Sequence, residues 1–78
     1  MAIYDVTEDG CLTNIQIEST DKIIVLPDYI KKISSLVFFE KEFDKLIIPK
    51  TVDTIEPFAF DSADINQVII ENPKIDLK

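Results

Sequence analysis

The stretch KLIIPKTVDTIEPFAF (residues 45–60) decides the fold that the sequence predicts. A β-branched run ends at Pro49, and apolar residues then follow at intervals of three, at Val52, Ile55 and Phe58. Proline has no N–H to donate to a sheet, so we expect a strand to end at Pro49. The spacing of three that follows favours a helical turn with one face directed inward.

An earlier stretch, KIIVLPDYIKKISSLVFF (residues 22–39), repeats this pattern at a shift of 22 residues. The shift aligns apolar residues in columns: Ile24, Leu46 and Val68; Leu26, Ile48 and Ile70; Ile30 and Val52; Ile33 and Ile55; Leu36 and Phe58; Phe38 and Phe60; Phe43 and Ile65. A fixed period of roughly 20 to 29 residues is typical of repeats that stack to bury a shared core.

The sequence therefore predicts a β-rich α/β solenoid, a short stack of parallel strands joined by short helical turns. We expect a single domain over residues 1–78, divided into an N-terminal cap (1–21), a first repeat (22–44), a second repeat (45–66) and a truncated third repeat (67–78). The cap is predicted to be a β-hairpin around Glu8, Asp9 and Gly10, because these residues suit a tight turn.

The pattern LIIPKTVDTIEPFAF resembles the leucine-rich repeat of the bacterial surface-antigen type, known from treponemal and bacteroidal proteins. The resemblance covers almost the whole chain and is strongest in the second repeat. The first repeat has VFF in place of AF, and the third has ENP where IP would stand. The resemblance implies a scaffold that binds other proteins and carries no catalytic residues.

The charge balance restricts the partners. The chain has 15 acidic residues and 8 lysines, a net charge of −7, which repels nucleic acids and anionic membranes. We therefore expect the partner to be another protein or a second copy of the chain, with no nucleic acid and no membrane. No signal peptide is apparent, and the single Cys11 has no partner for an intramolecular disulfide, so a cytoplasmic location is expected.

Residues suited to catalysis or cofactor binding are sparse. The chain has no histidine, which excludes Ser–His and Cys–His pairs, and Gly10 is its only glycine, which excludes a glycine-rich phosphate loop. Asp5, Thr7 and Asp9 match the first positions of a calcium-binding loop. Gln16, however, stands where that loop needs a bidentate glutamate. We expect no enzyme activity, no cofactor and no metal site.

One binding surface is predicted, on the outer side of the strands. Alternate side chains of a strand face opposite sides, so the residues next to the inward columns point outward: Val25, Ile47 and Ile69. Stacking places these residues side by side, about 5 Å apart, and contiguous exposed apolar patches often mark interaction sites. The alternatives are that the hairpin or the tail covers them, or that strand propensity alone selects them.

Two functions fit these observations. The first is a non-catalytic protein–protein interaction module built on the repeat scaffold. The second is a small acidic inhibitor, of the kind that phages encode, that blocks a basic nucleic-acid-binding protein. Salt separates the two, because binding that depends on exposed charges weakens as ionic strength rises.

Overall fold

The computed structural model describes residues 1–75, which form seven β-strands in two sheets. The strands are β1 (Ile3–Val6), β2 (Cys11–Gln16), β3 (Ile23–Val25), β4 (Lys32–Ile33), β5 (Glu42–Ile48), β6 (Thr54–Ile55) and β7 (Asp64–Ile70). The first sheet has the order β1-β2-β4-β6, and the second has the order β3-β5-β7.

The strands β1 and β2 pair antiparallel and form the predicted N-terminal hairpin. Its turn depends on Gly10, whose φ is +85° and whose N–H donates to the carbonyl of Thr7 at 3.0 Å. A Cβ atom at this position would lie 2.8 Å from the carbonyl oxygen of Tyr29. Glycine is therefore required both by the backbone conformation and by the available space.

From β3 onward, each strand pairs in parallel with the strand two places later in the chain. β3 and β5 align Ile24 with Leu46, and β5 and β7 align Leu46 with Val68. β4 and β6 align Ile33 with Ile55. The predicted register of 22 residues is therefore confirmed for these strands.

One hydrophobic core collects inward side chains from both sheets and from the turns between them. Ile48 is fully buried, as expected from the repeat. Ile55 was predicted to be buried but is only partly so, because β6 is the last strand of its sheet within the described residues. Phe38 stacks on Phe60 with ring centroids 5.0 Å apart, so the two sets of turns also contribute to this core.

The predicted α/β solenoid with helical turns is wrong. Residues 1–75 contain no helix, and the first sheet is mixed, with an antiparallel pair beside parallel pairs. The predicted helical turns, which end in VFF (residues 37–39) and FAF (residues 58–60), are non-helical turns, and the short strands β4 and β6 form just before them, where no strand was predicted. The fold is a small all-strand structure with one mixed and one parallel sheet, and its described residues include no helix long and apolar enough to cross a membrane.

Backbone hydrogen bonds explain why these turns are not helical. In a helix each N–H donates to the carbonyl four residues earlier. Here the N–H of Leu36 donates to the carbonyl of Phe58 at 3.1 Å, and that of Phe38 donates to Ala59 at 2.9 Å. These bonds run from one turn to the next, and other N–H groups donate within a turn to the carbonyl three residues earlier, as Phe39 does to Leu36 at 3.1 Å. Leu36 and Phe58 have positive φ angles of 65° and 67°. Both residues point outward, with exposed fractions of 54% and 71%. The spacing of three had predicted that Phe58 faces the core, and this prediction is wrong.

The third predicted repeat, residues 67–78, is described as far as Ile75, and residues 76–78 lie outside the described part. The segment after β7 is held by Asn72, whose side-chain amide donates to the carbonyls of Lys50 and Val52 at 3.2 and 3.0 Å. The first residues after β7 are therefore fixed to the equivalent segment after β5.

Candidate protein-binding surface

The outer face of the second sheet carries the residues predicted to bind a partner. Val25, Ile47 and Ile69 are register partners on β3, β5 and β7, so they lie side by side. Val25 is 58% exposed, and Ile47 and Ile69 are half-buried. None of the three packs in the core cluster. We call these three residues the apolar row.

A second line of side chains borders the apolar row on the same face. Ile23, two residues before Val25, is 62% exposed. Its register partners on the neighbouring strands are Lys45 and Gln67, which are polar. An apolar centre with a polar border is the usual composition of a protein–protein interface.

The hairpin lies beside the apolar row and leaves it open. The hydroxyl of Tyr4 donates to the backbone carbonyl of Val25 at 3.4 Å. Burial raises the pKa of Tyr4, and the nearby Tyr29 and Asp21 raise it further. The contact fixes the hairpin against the backbone of β3, while the side chain of Val25 stays exposed.

A second exposed apolar group lies on the turns, and sequence reasoning missed it. Leu36 and Phe58 are adjacent through their backbone hydrogen bond, and Phe39 beside them is 39% exposed. A positive φ costs a bulky residue on the order of 1–2 kcal/mol, and such strain is often found at functional sites. The only sequence signal was the aligned column of Leu36 and Phe58, and that column favoured an inward direction.

An acidic groove of about 330 Å³ lies where β5 and β7 begin. Four carboxylates line it (Asp21, Glu42, Asp44 and Asp64) together with one cation, Lys22. The side chain of Asn66 donates to Asp44 at 3.1 Å. The backbone N–H of Glu18 donates to the carboxylate of Asp21 at 2.8 Å, which lowers the pKa of Asp21. Such a groove attracts basic groups by its charge.

The remaining candidate residues are the possible metal ligands and the nucleophile Cys11. Within residues 1–75, no three side chains of His, Cys, Asp or Glu come together as a metal ion would require. The Sγ atom of Cys11 lies 2.9 Å from the Oγ atom of Ser34. This contact joins β2 to the segment after β4.

Comparison of the chain with protein-family models, with curated proteins and with solved structures finds no match. The resemblance to leucine-rich repeats therefore stays a prediction, and function has to be argued from the surfaces described above.

Proposed function

We propose that the chain is a non-catalytic protein-binding module and that the apolar row is its binding surface. The observation that carries this proposal is the alignment of Val25, Ile47 and Ile69 on three adjacent strands, outside the core. Isolated exposed apolar residues are ordinary on protein surfaces, whereas a contiguous row is more often an interaction site.

The partner that fits this surface is another protein. The apolar row offers aliphatic contact area, and Lys45 and Gln67 offer polar contacts at its border. A net charge of −7 disfavours nucleic acid and anionic lipid as partners. A cytoplasmic location is part of the same proposal.

The test uses lysine substitutions in the apolar row. Immobilised wild-type protein is used to capture a partner from extracts, and the partner is identified by mass spectrometry and purified. Its affinity is then measured for Val25→Lys, Ile47→Lys and the control Ser35→Lys, which changes an exposed polar residue outside the second sheet. We expect the first two variants to weaken binding more than tenfold and the control to leave it unchanged. Equal binding by all three variants would contradict the proposal.

A second candidate function is a small acidic inhibitor that blocks a basic nucleic-acid-binding protein. The acidic groove favours it, because four carboxylates converge there. Raising NaCl from about 0.1 M to about 1 M shortens the range of exposed charges about threefold. Binding through the apolar row should survive this change. Binding that is lost at high salt and retained by Ile47→Lys would favour the inhibitor.

A further inference from the structure

The core is incomplete at the end of the molecule formed by β6 and β7. Among residues 1–75, these are the last strands of the two sheets. Five core residues at this end are partly exposed: Ile55, Phe60, Ile65, Val68 and Ile70. Their equivalents 22 residues earlier are exposed by 5% or less: Ile33, Phe38, Phe43, Leu46 and Ile48. We call the five exposed residues the open end. A further layer of strands covers the equivalent positions, and among residues 1–75 no such layer lies over the open end.

The outer edge of β7 is suited to pairing with another strand. β7 carries a single charged residue, Asp64 at its start, and residues 65–70 carry no charge and no proline, whereas β5 carries Glu42, Asp44 and Lys45. Natural edge strands usually avoid pairing by means of charges or proline. The long uncharged edge of β7 lacks this protection.

The backbone groups of β7 that have no partner among residues 1–75 can be identified. The N–H of Glu71 donates to the carbonyl of Ile48 at 3.0 Å, towards β5. Successive peptide groups in a strand alternate in direction, so the N–H groups of Val68 and Ile70 point away from β5. These two residues also carry inward side chains of the open end. The free donors and the exposed apolar surface therefore lie at the same positions.

The opposite end of the molecule is closed. The hairpin covers it, and Leu12, Ile15, Ile24 and Leu26 are exposed by 2% or less. Copies stacked head to tail would therefore meet no matching open core. A second open end does match, because it carries the same exposed core and the same free edge.

We propose that the open end binds a second copy of this chain through a two-fold contact, with β7 pairing antiparallel to β7 of the second copy. A register centred on Ile69 places Val68 opposite Ile70 of the second copy, so that inward side chains meet on the same side of the sheet. The free N–H groups of both residues then find carbonyl partners. The same register places Gln67 opposite Glu71 of the second copy, so no like charges meet.

The pairing forms a dimer and does not continue into a filament, because a two-fold contact uses the same surface on both copies. It also joins the two apolar rows, since Ile69 lies next to Ile69 of the second copy. The net charge of −7 on each copy opposes association, so salt should strengthen the dimer. Binding of a partner through opposite charges would show the opposite salt dependence, because it weakens as salt is added.

Sedimentation velocity over about 1 μM to about 1 mM protein tests the proposal. The wild-type chain should change from monomer to dimer within this range, at lower concentration when salt is added. Val68→Lys should raise the dissociation constant more than tenfold. Gln67→Lys, the matched control on the same strand, should retain the dimer or tighten it, because the new lysine lies opposite Glu71 of the second copy.

Ile70→Pro is the variant that keeps the test decisive if Val68→Lys does not fold. Proline removes the N–H that points away from β5 and leaves the hydrogen bonds to β5 in place. It should give a folded monomer, judged by a cooperative melt at low concentration. A wild-type monomer at every concentration, a dimer that survives Ile70→Pro, or larger species that keep growing would each overturn the proposal. Loss of the dimer in Val25→Lys but not in Ile70→Pro would overturn it too, by placing the contact at the apolar row.

Discussion

Single residues fix the local geometry of this small protein, and Gly10 is the clearest case. Its positive φ closes the hairpin turn, and its carbonyl accepts the N–H groups of Lys31 and Lys32 at 2.7 and 3.2 Å. The tight-turn sequence was enough to predict the hairpin. The sequence did not predict that a later segment passes close to this glycine, because that approach depends on the tertiary fold.

Gly10→Ala should lower the free energy of unfolding by at least about 2 kcal/mol, because alanine is strained at this φ and its Cβ meets the carbonyl of Tyr29 at 2.8 Å. Urea denaturation measures the change. The control Glu8→Ala alters an exposed residue of the same turn and should change stability by less than about 0.5 kcal/mol. Equal stability of the two variants would show that the hairpin does not approach residues 29–31 in this way.

Asp21 provides a pH-dependent contribution to stability. The Glu18 N–H, and then the N-terminal amino group 3.3 Å away, hold its pKa below the usual 3.8. A carboxyl whose pKa is lowered by folding stabilises the native state above its usual pKa, and this contribution is lost as pH falls through the lowered value.

Asp21→Asn should therefore be less stable than the wild-type chain at neutral pH, and the difference should shrink as pH falls below about 4. Urea denaturation of both proteins from roughly pH 6 to about pH 2.5 measures it. A difference that stays constant over this range would mean that the carboxylate makes no such contact in solution.

At the scale of elements, the hairpin and the strands β3, β5 and β7 with their register were predictable, whereas the short strands β4 and β6 and the turns were not. The β-branched runs, each repeated after 22 residues, correctly aligned Ile24, Leu46 and Val68. The spacing of three in Val52, Ile55 and Phe58 is compatible with a helix and equally with turns that bond to the next turn. Only the hydrogen bonds between turns distinguish these cases, and such bonds are not visible in a local pattern.

Of the candidate surfaces, the apolar row was predictable from the sequence, and the exposed group on the turns was not. Alternation along a strand was sufficient to select Val25, Ile47 and Ile69, because register and alternation both come from the sequence pattern. Leu36 and Phe58 point outward with a positive φ. Bulky residues rarely adopt a positive φ, so nothing in the sequence predicted one at these two positions. The sequence pattern did not show which core residues the open end would leave partly exposed.

Two substitutions in the second sheet test which residues face the core. Ile48→Asp should abolish the cooperative melt, because an unpaired buried charge costs several kcal/mol and a domain of this size rarely has more than about 3–5 kcal/mol of stability. Val25→Asp, on the same sheet but 58% exposed, should remain folded. Circular dichroism during heating compares the two. A cooperative melt for Ile48→Asp would contradict the inward direction of this residue.

At the scale of the whole molecule, the fold closes one end of a shared core and leaves the other end partly exposed. The hairpin provides the closed end, and β6 and β7 provide the open one. The outer face of the second sheet is a third feature, because its apolar row lies outside the core. The two proposed contacts share Ile69, but Val25→Lys changes only the apolar row and Ile70→Pro changes only the edge of β7, so the two contacts can be tested separately.

The central claim is that parallel pairing places Val25, Ile47 and Ile69 side by side on one outer face. Nuclear Overhauser spectroscopy of a dilute, methyl-labelled sample tests it most directly. We predict cross-peaks from the methyl groups of Ile47 to those of both Val25 and Ile69, and none to the ring of Phe38, which lies in the core. Cross-peaks from Ile47 to Phe38, without those to Val25 and Ile69, would show that the strand faces the other way and would contradict the claim.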